Sequence, residues 1–208
     1  MSDVPARSRD TAAVIRAAAL GLIAAKGYAA VSMREIADGA GIRQGGIYNH
    51  FAAKQDILRA LMVDHMEALI AAWEACPERS CPPAETLDAF VRFHISYHFT
   101  RPEAVLVAYM ELRSLEPENF AAVEALRDRY ERILRDILAR GAAEGVFALR
   151  DPAVETRALI AMLTGVTTWV REGGRLSIAD ITDLYVDLVR RAVGLHPAHD
   201  RTRETADV

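Results

Sequence analysis

The chain has 208 residues, is 51% hydrophobic and 26% charged, and carries a formal net charge of −4. That composition excludes a disordered chain, and two cysteines are too few for a secreted disulfide scaffold. No apolar run approaches the ~18 residues needed to span a bilayer, and the opening MSDVPARSRD lacks the apolar core of a signal peptide, so the expectation is a cytoplasmic protein with no membrane partner.

Charge is uneven along the chain. Residues 1–56 hold seven Lys/Arg and five Asp/Glu, while the remainder holds 18 and 24. The basic excess therefore lies at the N-terminal end, with Arg7 and Arg9 ahead of the first expected helix. This permits a nucleic-acid partner without requiring one.

Strand signals are nearly absent, and the periodicity predicts an all-α chain of about nine helices. The first runs over 10–26, with Val14, Ala18, Leu22 and Ala25 on one face and Gly27 as its stop. Ser32 and Glu35 stand at capping-box spacing and open a short helix that ends near Gly39–Gly41. A second short helix covers 44–50, and a long one follows over 53–75, with Ile57, Leu61, Met66, Leu69 and Trp73 apolar. CPERSCPP is a loop, followed by helices over 83–99, 103–114, 118–144, 152–172 and 178–193. Pro102, Pro117 and Pro152 stand at or near first-turn positions, where the missing N–H costs nothing.

Two short helices joined by DGAGI make a helix-turn-helix, the unit that lays its second helix in the DNA major groove. Its inward positions are Ile36, Ala37, Ala40, Ile47 and Phe51. The outward face is Arg43, Gln44, Gly46, Tyr48 and Asn49, with no carboxylate. Arg and Gln bond base edges, while Tyr and His suit phosphate oxygens. Gly45 and Gly46 weaken an isolated helix by about 1 kcal/mol each, but let backbone approach DNA closely.

The stretch VSMREIADGAGIRQGGIYNHFAAKQDIL, extended back through VIRAAALGLIAAKGY, resembles the DNA-binding signature of tetracycline-repressor-like regulators without a gap over about 12–58. The resemblance implies that Ser32 caps the second helix and touches phosphate. Gly45 becomes the recognition-helix glycine, Tyr48 and His50 backbone contacts, and Lys54 a residue beside the phosphates. Arg43 departs from the pattern where a small capping Ser or Thr is common, and Gly46 where Thr, Ser or Ala is common. Arg43 cannot cap, and is free to read a base. The implied partners are double-stranded DNA, a small-molecule effector and a second copy of the chain. The implied organisation is a DNA-binding head over 1–52, a ligand-binding and dimerisation part over 53–195, and a flexible tail over 196–208.

In the C-terminal part, the resemblance makes the last two long helices a homodimer bundle, with Leu159, Met162, Leu163, Val166, Val170, Ile181, Leu184, Leu188 and Val189 on their stripes. Phe93, His94, Tyr97, Tyr109, Arg113 and Trp169 are the candidate effector contacts, because an aromatic lining with a few polar groups suits a small molecule. A softer similarity of 127–177 to regulators of fatty-acid and steroid catabolism implies an acyl-CoA thioester as effector, with Arg113, Arg127, Arg171 and Arg175 as candidate phosphate partners. His94 and His98 share a helix face at metal-ligand spacing, but HISYH holds no acidic partner, so no metal or cofactor is expected. Cys76 and Cys81 have only Arg79 as a positive neighbour, a weak basis for a redox role. No hydrolase, metalloprotease or phosphate-loop motif is present, so an enzyme stands as the alternative, alongside a protein-interaction module with a vestigial DNA site.

Overall fold

The computed structural model describes residues 4–171 and 173–195, with side chains from Thr11 onward. Among these residues there are nine α-helices and two short 3-10 turns, and no strand: α1 Val4–Lys26, α2 Met33–Gly39, α3 Gln44–Ile47, α4 Lys54–Glu74, α5 Pro83–Phe99, α6 Pro102–Met110, α7 Pro117–Ala143, α8 Pro152–Trp169 and α9 Ile178–Ala192. The all-α expectation holds. The first helix begins earlier than the sequence indicated, so positions 7 and 9 lie within α1 rather than ahead of it. The sixth ends at Met110, its expected last turn being a separate 3-10 turn over Leu112–Ser114. CPERSCPP is not all loop: Pro77–Ser80 form the other 3-10 turn. The tail expected from residue 196 lies outside the described residues.

The chain divides into two compact units, Met1–Ala72 with Thr100–Tyr130, and Trp73–Phe99 with Glu131–Val208. The first is built on α1, where Ile15, Ala19 and Ile23 recur every four residues and are buried. The face expected from sequence was one residue off, since Val14 is 45% exposed. These side chains share a cluster with Ile36 and Ala37 of α2, Ile47 of α3, Ile57, Leu58 and Met62 of α4, and Val107, Leu115 and Val123. Gly27 ends α1 at φ +82°, a left-handed conformation in which a side chain would be strained.

In the second unit, α5 packs on α8 and α9. Asp151 caps α8, accepting from the N–H groups of Ala153 and Val154. Ser177 and Asp180 close a capping box on α9 that the sequence reading passed over. Arg190 binds Asp88 with both arms of its guanidinium, pinning α9 to α5. Gly141 is required by close approach: a Cβ there would lie 2.1 Å from the Phe147 ring. Among the described residues no helix is long and apolar enough to cross a membrane.

His65 on α4 is buried at 6% exposure. Burial first, and the charge of Arg101 second, hold its imidazole down to about 4 from an ordinary 6.5. The unfolded chain therefore takes up a proton in this interval that the folded chain refuses. Stability from this group is complete above pH 6.5, falls as acid is added, and is gone below about pH 4. His65→Leu is expected to lessen the stability lost between about pH 7 and 5 by roughly 2 kcal/mol relative to wild type, read from urea unfolding.

Candidate nucleic-acid interface

The approach to α2 is fixed by a complete capping box. Ser32 Oγ accepts from the Glu35 N–H at 3.2 Å, and Glu35 Oε2 accepts from the Ser32 N–H at 2.9 Å. The Ser32 hydroxyl also donates to Glu35 Oε2 at 2.9 Å, so contact with a phosphate requires it to turn away. The Ser32 backbone bond, together with Lys26 at 3.1 Å, holds the Glu35 carboxyl down to about 2.

The turn into α3 is a Schellman motif. Gly41 lies at φ +67°; its N–H donates to the Asp38 carbonyl, and the Ile42 N–H to that of Ala37. Ile42 then packs on the core. The motif satisfies the open carbonyls of α2 and aims the chain into α3 within three residues.

The second member of the helix-turn-helix is shorter than expected. It is helical only over Gln44–Ile47, and Tyr48, Asn49 and His50 continue as turns rather than helix. Two causes are visible. Arg43 stands at the N-cap without a side-chain capping bond, and Gly45 and Gly46 disfavour the helix. Ile47 is fully buried and holds the segment to the core.

Arg43, Gln44, Gly45, Tyr48 and Asn49 are exposed, with Gly46 and His50 partly so. From Gly39 to Gln55 there is no carboxylate. A Cβ at Gly45 or Gly46 would meet nothing within 4 Å, so the fold itself does not demand glycine there. The two glycines instead leave an outward surface of bare backbone.

Lys54 is more engaged than the sequence suggested. Its ammonium donates to the carbonyls of Tyr28 and Val31, at 2.8 and 2.7 Å, and lies 4.1 Å from the Tyr28 ring centroid. At least two of its three donors thus serve the α1–α2 turn.

The six candidate effector contacts fall in different units. Phe93, His94 and Tyr97 run along α5 in the second unit, the Phe93 and Tyr97 rings 5.5 Å apart and Phe93 against Trp73. His94 is buried, bonded through Nε2 to Thr164 Oγ1 at 3.1 Å and stacked on His98 at 4.0 Å. Trp169 is 52% exposed and stacks on Tyr185 of α9. Tyr109 and Arg113 belong to the first unit, where Tyr109 lies under the Arg127 guanidinium at 4.9 Å and Arg113 is exposed.

A groove of about 520 Å³ in the second unit reaches Phe93. Glu78, Glu85 and Asp88 line it against one arginine, Arg92, which makes it a poor seat for phosphates. Cys76 also borders it; burial and then the Glu78 carboxylate push its thiol up, the opposite of a reactive cysteine. Among the described residues no group of three or more His, Cys, Asp or Glu could hold a metal ion.

Set beside known proteins, residues 15–61 match the model for bacterial regulatory proteins of the tetR family, and residues 80–193 match that for the tetracyclin repressor-like C-terminal domain. The HTH-type transcriptional repressor KstR2 of Mycobacterium tuberculosis is 26% identical over 178 residues, 82% of this chain and 86% of that protein. A tetR-family regulatory protein of Rhodococcus RHA1 superposes with a TM-score of 0.85 at 30% identity, over 90% of this chain and 98% of the other. AibR, solved with isovaleryl coenzyme A and operator DNA, shares the fold with a TM-score of 0.78 at 24% identity, over 86% and 97%. With the C-terminal model alone covering more than half of its length, the chain belongs to the tetR family of bacterial regulatory proteins.

Proposed function

We propose that this chain is a repressor that binds an inverted-repeat operator as a homodimer and is released by a small molecule, with residues 1–52 as the DNA-binding head and 53–195 as the ligand-binding and dimerisation part. The observation that carries the reading is the outward face of α3: exposed Arg43, Gln44, Tyr48 and Asn49 on a segment anchored by Ile47, with no carboxylate in the chain from Gly39 to Gln55. Such a face attracts phosphates and leaves side-chain donors for base edges. Ser32, Gly45, Gly46, His50 and Lys54 complete the proposed contact set. Double-stranded DNA selected from a random pool, followed by gel shift, tests the reading; enrichment of no inverted repeat would refute it.

The homodimer reading is supported by apolar side chains left exposed on α8 and α9 of the second unit. Leu184 and Leu188 on α9 are 51% and 42% exposed, and Val154 and Trp169 on α8 are 60% and 52% exposed. Leu159, Leu163, Val166, Ile181 and Val189 of the same stripes are buried within the chain itself, so they form the part that is intramolecular core. A single helix-turn-helix contacts too little DNA for high specificity, and a two-fold dimer places two of them one helical turn, roughly 34 Å, or a multiple apart.

For the effector, we propose a ligand of the acyl-CoA class. KstR2 and the fatty-acid regulator of Bacillus subtilis are relatives by sequence, and AibR carries isovaleryl coenzyme A on the same fold. Phe93, His94, Tyr97 and Trp169 of the second unit supply aromatic surface and an imidazole. Tyr109, Arg113 and Arg127 belong to the first unit and form a separate candidate set there. The effector acts by changing the separation of the two recognition segments, not by covering them.

Three outcomes are expected. Arg43→Ala weakens binding to the selected operator by about 1–3 kcal/mol but binding to random DNA far less, whereas Tyr48→Ala weakens both alike; Lys54→Ala lowers fold stability as well, since it strips two carbonyls of a donor. Gel shifts on both duplexes and a urea melt separate these effects. Leu188→Glu yields a folded chain that sediments as a monomer at micromolar concentration, while Leu163→Glu disrupts the fold, its side chain being 1% exposed. Isovaleryl-CoA, or a longer acyl-CoA, weakens operator binding by about 5–150-fold, and operator weakens thioester binding by the same factor. Equal thioester affinity with and without operator, in calorimetry, would exclude allosteric release.

A further inference from the structure

The turn between α1 and α2 is held from outside the helix-turn-helix. The Tyr28 N–H donates to Glu111 Oε1 at 3.0 Å, and Glu111 Oε2 accepts from the Ser114 hydroxyl at 2.7 Å. At the second residue of α4, Gln55 Nε2 donates to the Ser114 carbonyl at 2.7 Å, while Gln55 Oε1 accepts from the Glu116 N–H at 3.1 Å and from Asn119 Nδ2 at 3.3 Å. Two side chains, Gln55 and Glu111, thus tie the α6–α7 corner, residues 111–119, to the α1–α2 turn and to the start of α4. All of these residues belong to the first unit.

Apolar packing does not make these bonds redundant. Val107, Leu115 and Val123 join the core from this side, but such contacts are non-directional and tolerate sliding. Beside Glu111 the junction of α1 and α6 is open, with a cleft of about 190 Å³ lined by Ile23, Ala24, Gly27, Leu106, Val107 and Met110. The polar bonds therefore carry the register at this point. Their position matters because the turn runs within a few residues into Ser32, the cap of α2, and α2 shares its buried cluster with Ile47 of α3. On the other side, the corner leads into α7, one continuous helix from Pro117 to Ala143 whose residues beyond Tyr130 belong to the second unit.

We infer that Gln55 and Glu111 are positioning residues for operator binding: they set the angle at which the recognition segment is presented by locking the α1–α2 turn and the start of α4 to the α6–α7 corner. This rests on the reading of the chain as a dimeric operator-binding regulator. Neither residue touches DNA in this arrangement; each acts through the backbone that it holds. A locked pair of heads accepts one half-site spacing, and an unlocked pair accepts several.

The test is spacing tolerance in the full-length chain. The operator is the inverted repeat that wild type enriches from random duplex DNA, remade with one base pair inserted or removed between half-sites. Wild type is expected to lose about tenfold or more in affinity on either altered duplex, because half-site separation is a geometric constraint. Gln55→Ala, Glu111→Ala and the double variant are expected to lose less than about threefold, the two singles serving if the double does not fold. Glu111→Gln keeps an acceptor for the Tyr28 N–H and should retain the wild-type penalty. Ile15→Val, a core change in the same unit that leaves the latch intact, should retain it too. A wild-type penalty in both folded single variants, or equal relaxation in Ile15→Val, overturns the inference while leaving the regulator reading intact. A wild-type chain that enriches no inverted repeat overturns the regulator reading, and the inference with it.

Discussion

The burial of Ile47 is the contact on which the candidate interface depends. The helix around it is four residues long, has no side-chain N-cap and contains two glycines. A single turn of that kind does not persist alone, because nucleation is unfavourable and each glycine costs about 1 kcal/mol. Complete burial of an isoleucine side chain contributes about 2 kcal/mol, enough to offset the glycines but not to build a longer helix. The segment is therefore helical only where the core holds it, and Tyr48, Asn49 and His50 follow as turns.

Around that anchor, polar groups divide into those used inside the protein and those left outward. Glu35 is committed to Ser32 and Lys26, and Lys54 to the carbonyls of Tyr28 and Val31. Arg43, in contrast, has no capping bond, and Gln44 and Asn49 are exposed. The same division explains how a chain of net charge −4 can carry an interface for a polyanion: the local balance of the exposed face differs from the global one. Both backbone polar groups of Tyr28 are held, its N–H by Glu111 and its carbonyl by Lys54, so one residue links α1, α4 and the α6–α7 corner.

What could be read from the sequence followed from local signals. Ser32 and Glu35 announce a cap, Gly41 a helix stop, and Ile36, Ala37, Ala40, Ile47 and Phe51 an inward face; the structure buries all of these but Ala40, which is partly exposed. The face of α1 was misplaced because Val14 and Ile15 are adjacent and the helix is rich in alanine, so two faces a hundred degrees apart look alike. The stripes of α8 and α9 read as part core and part interface, with no residue-level division between the two. Both helices carry apolar residues on two sides, and periodicity alone cannot say whether Leu163 or Leu188 meets its own chain. The long-range bonds of Gln55 and Glu111 leave no local trace, since these partners lie 59 to 83 positions away and include backbone groups, to which side-chain identity gives no clue. The candidate effector contacts rest on side-chain type alone, aromatic rings with a few polar groups, whereas the fold distributes them between two units.

The unobstructed space over Gly45 and Gly46 bears on where the order of the segment comes from rather than on shape. The fold would accept alanine at either position, and alanine would favour the helix by about 1 kcal/mol each. Order in α3 is therefore supplied from the core through Ile47 and not by the segment's own sequence, so a change that loosens Ile47 reaches the exposed Arg43, Gln44, Tyr48 and Asn49 without touching them.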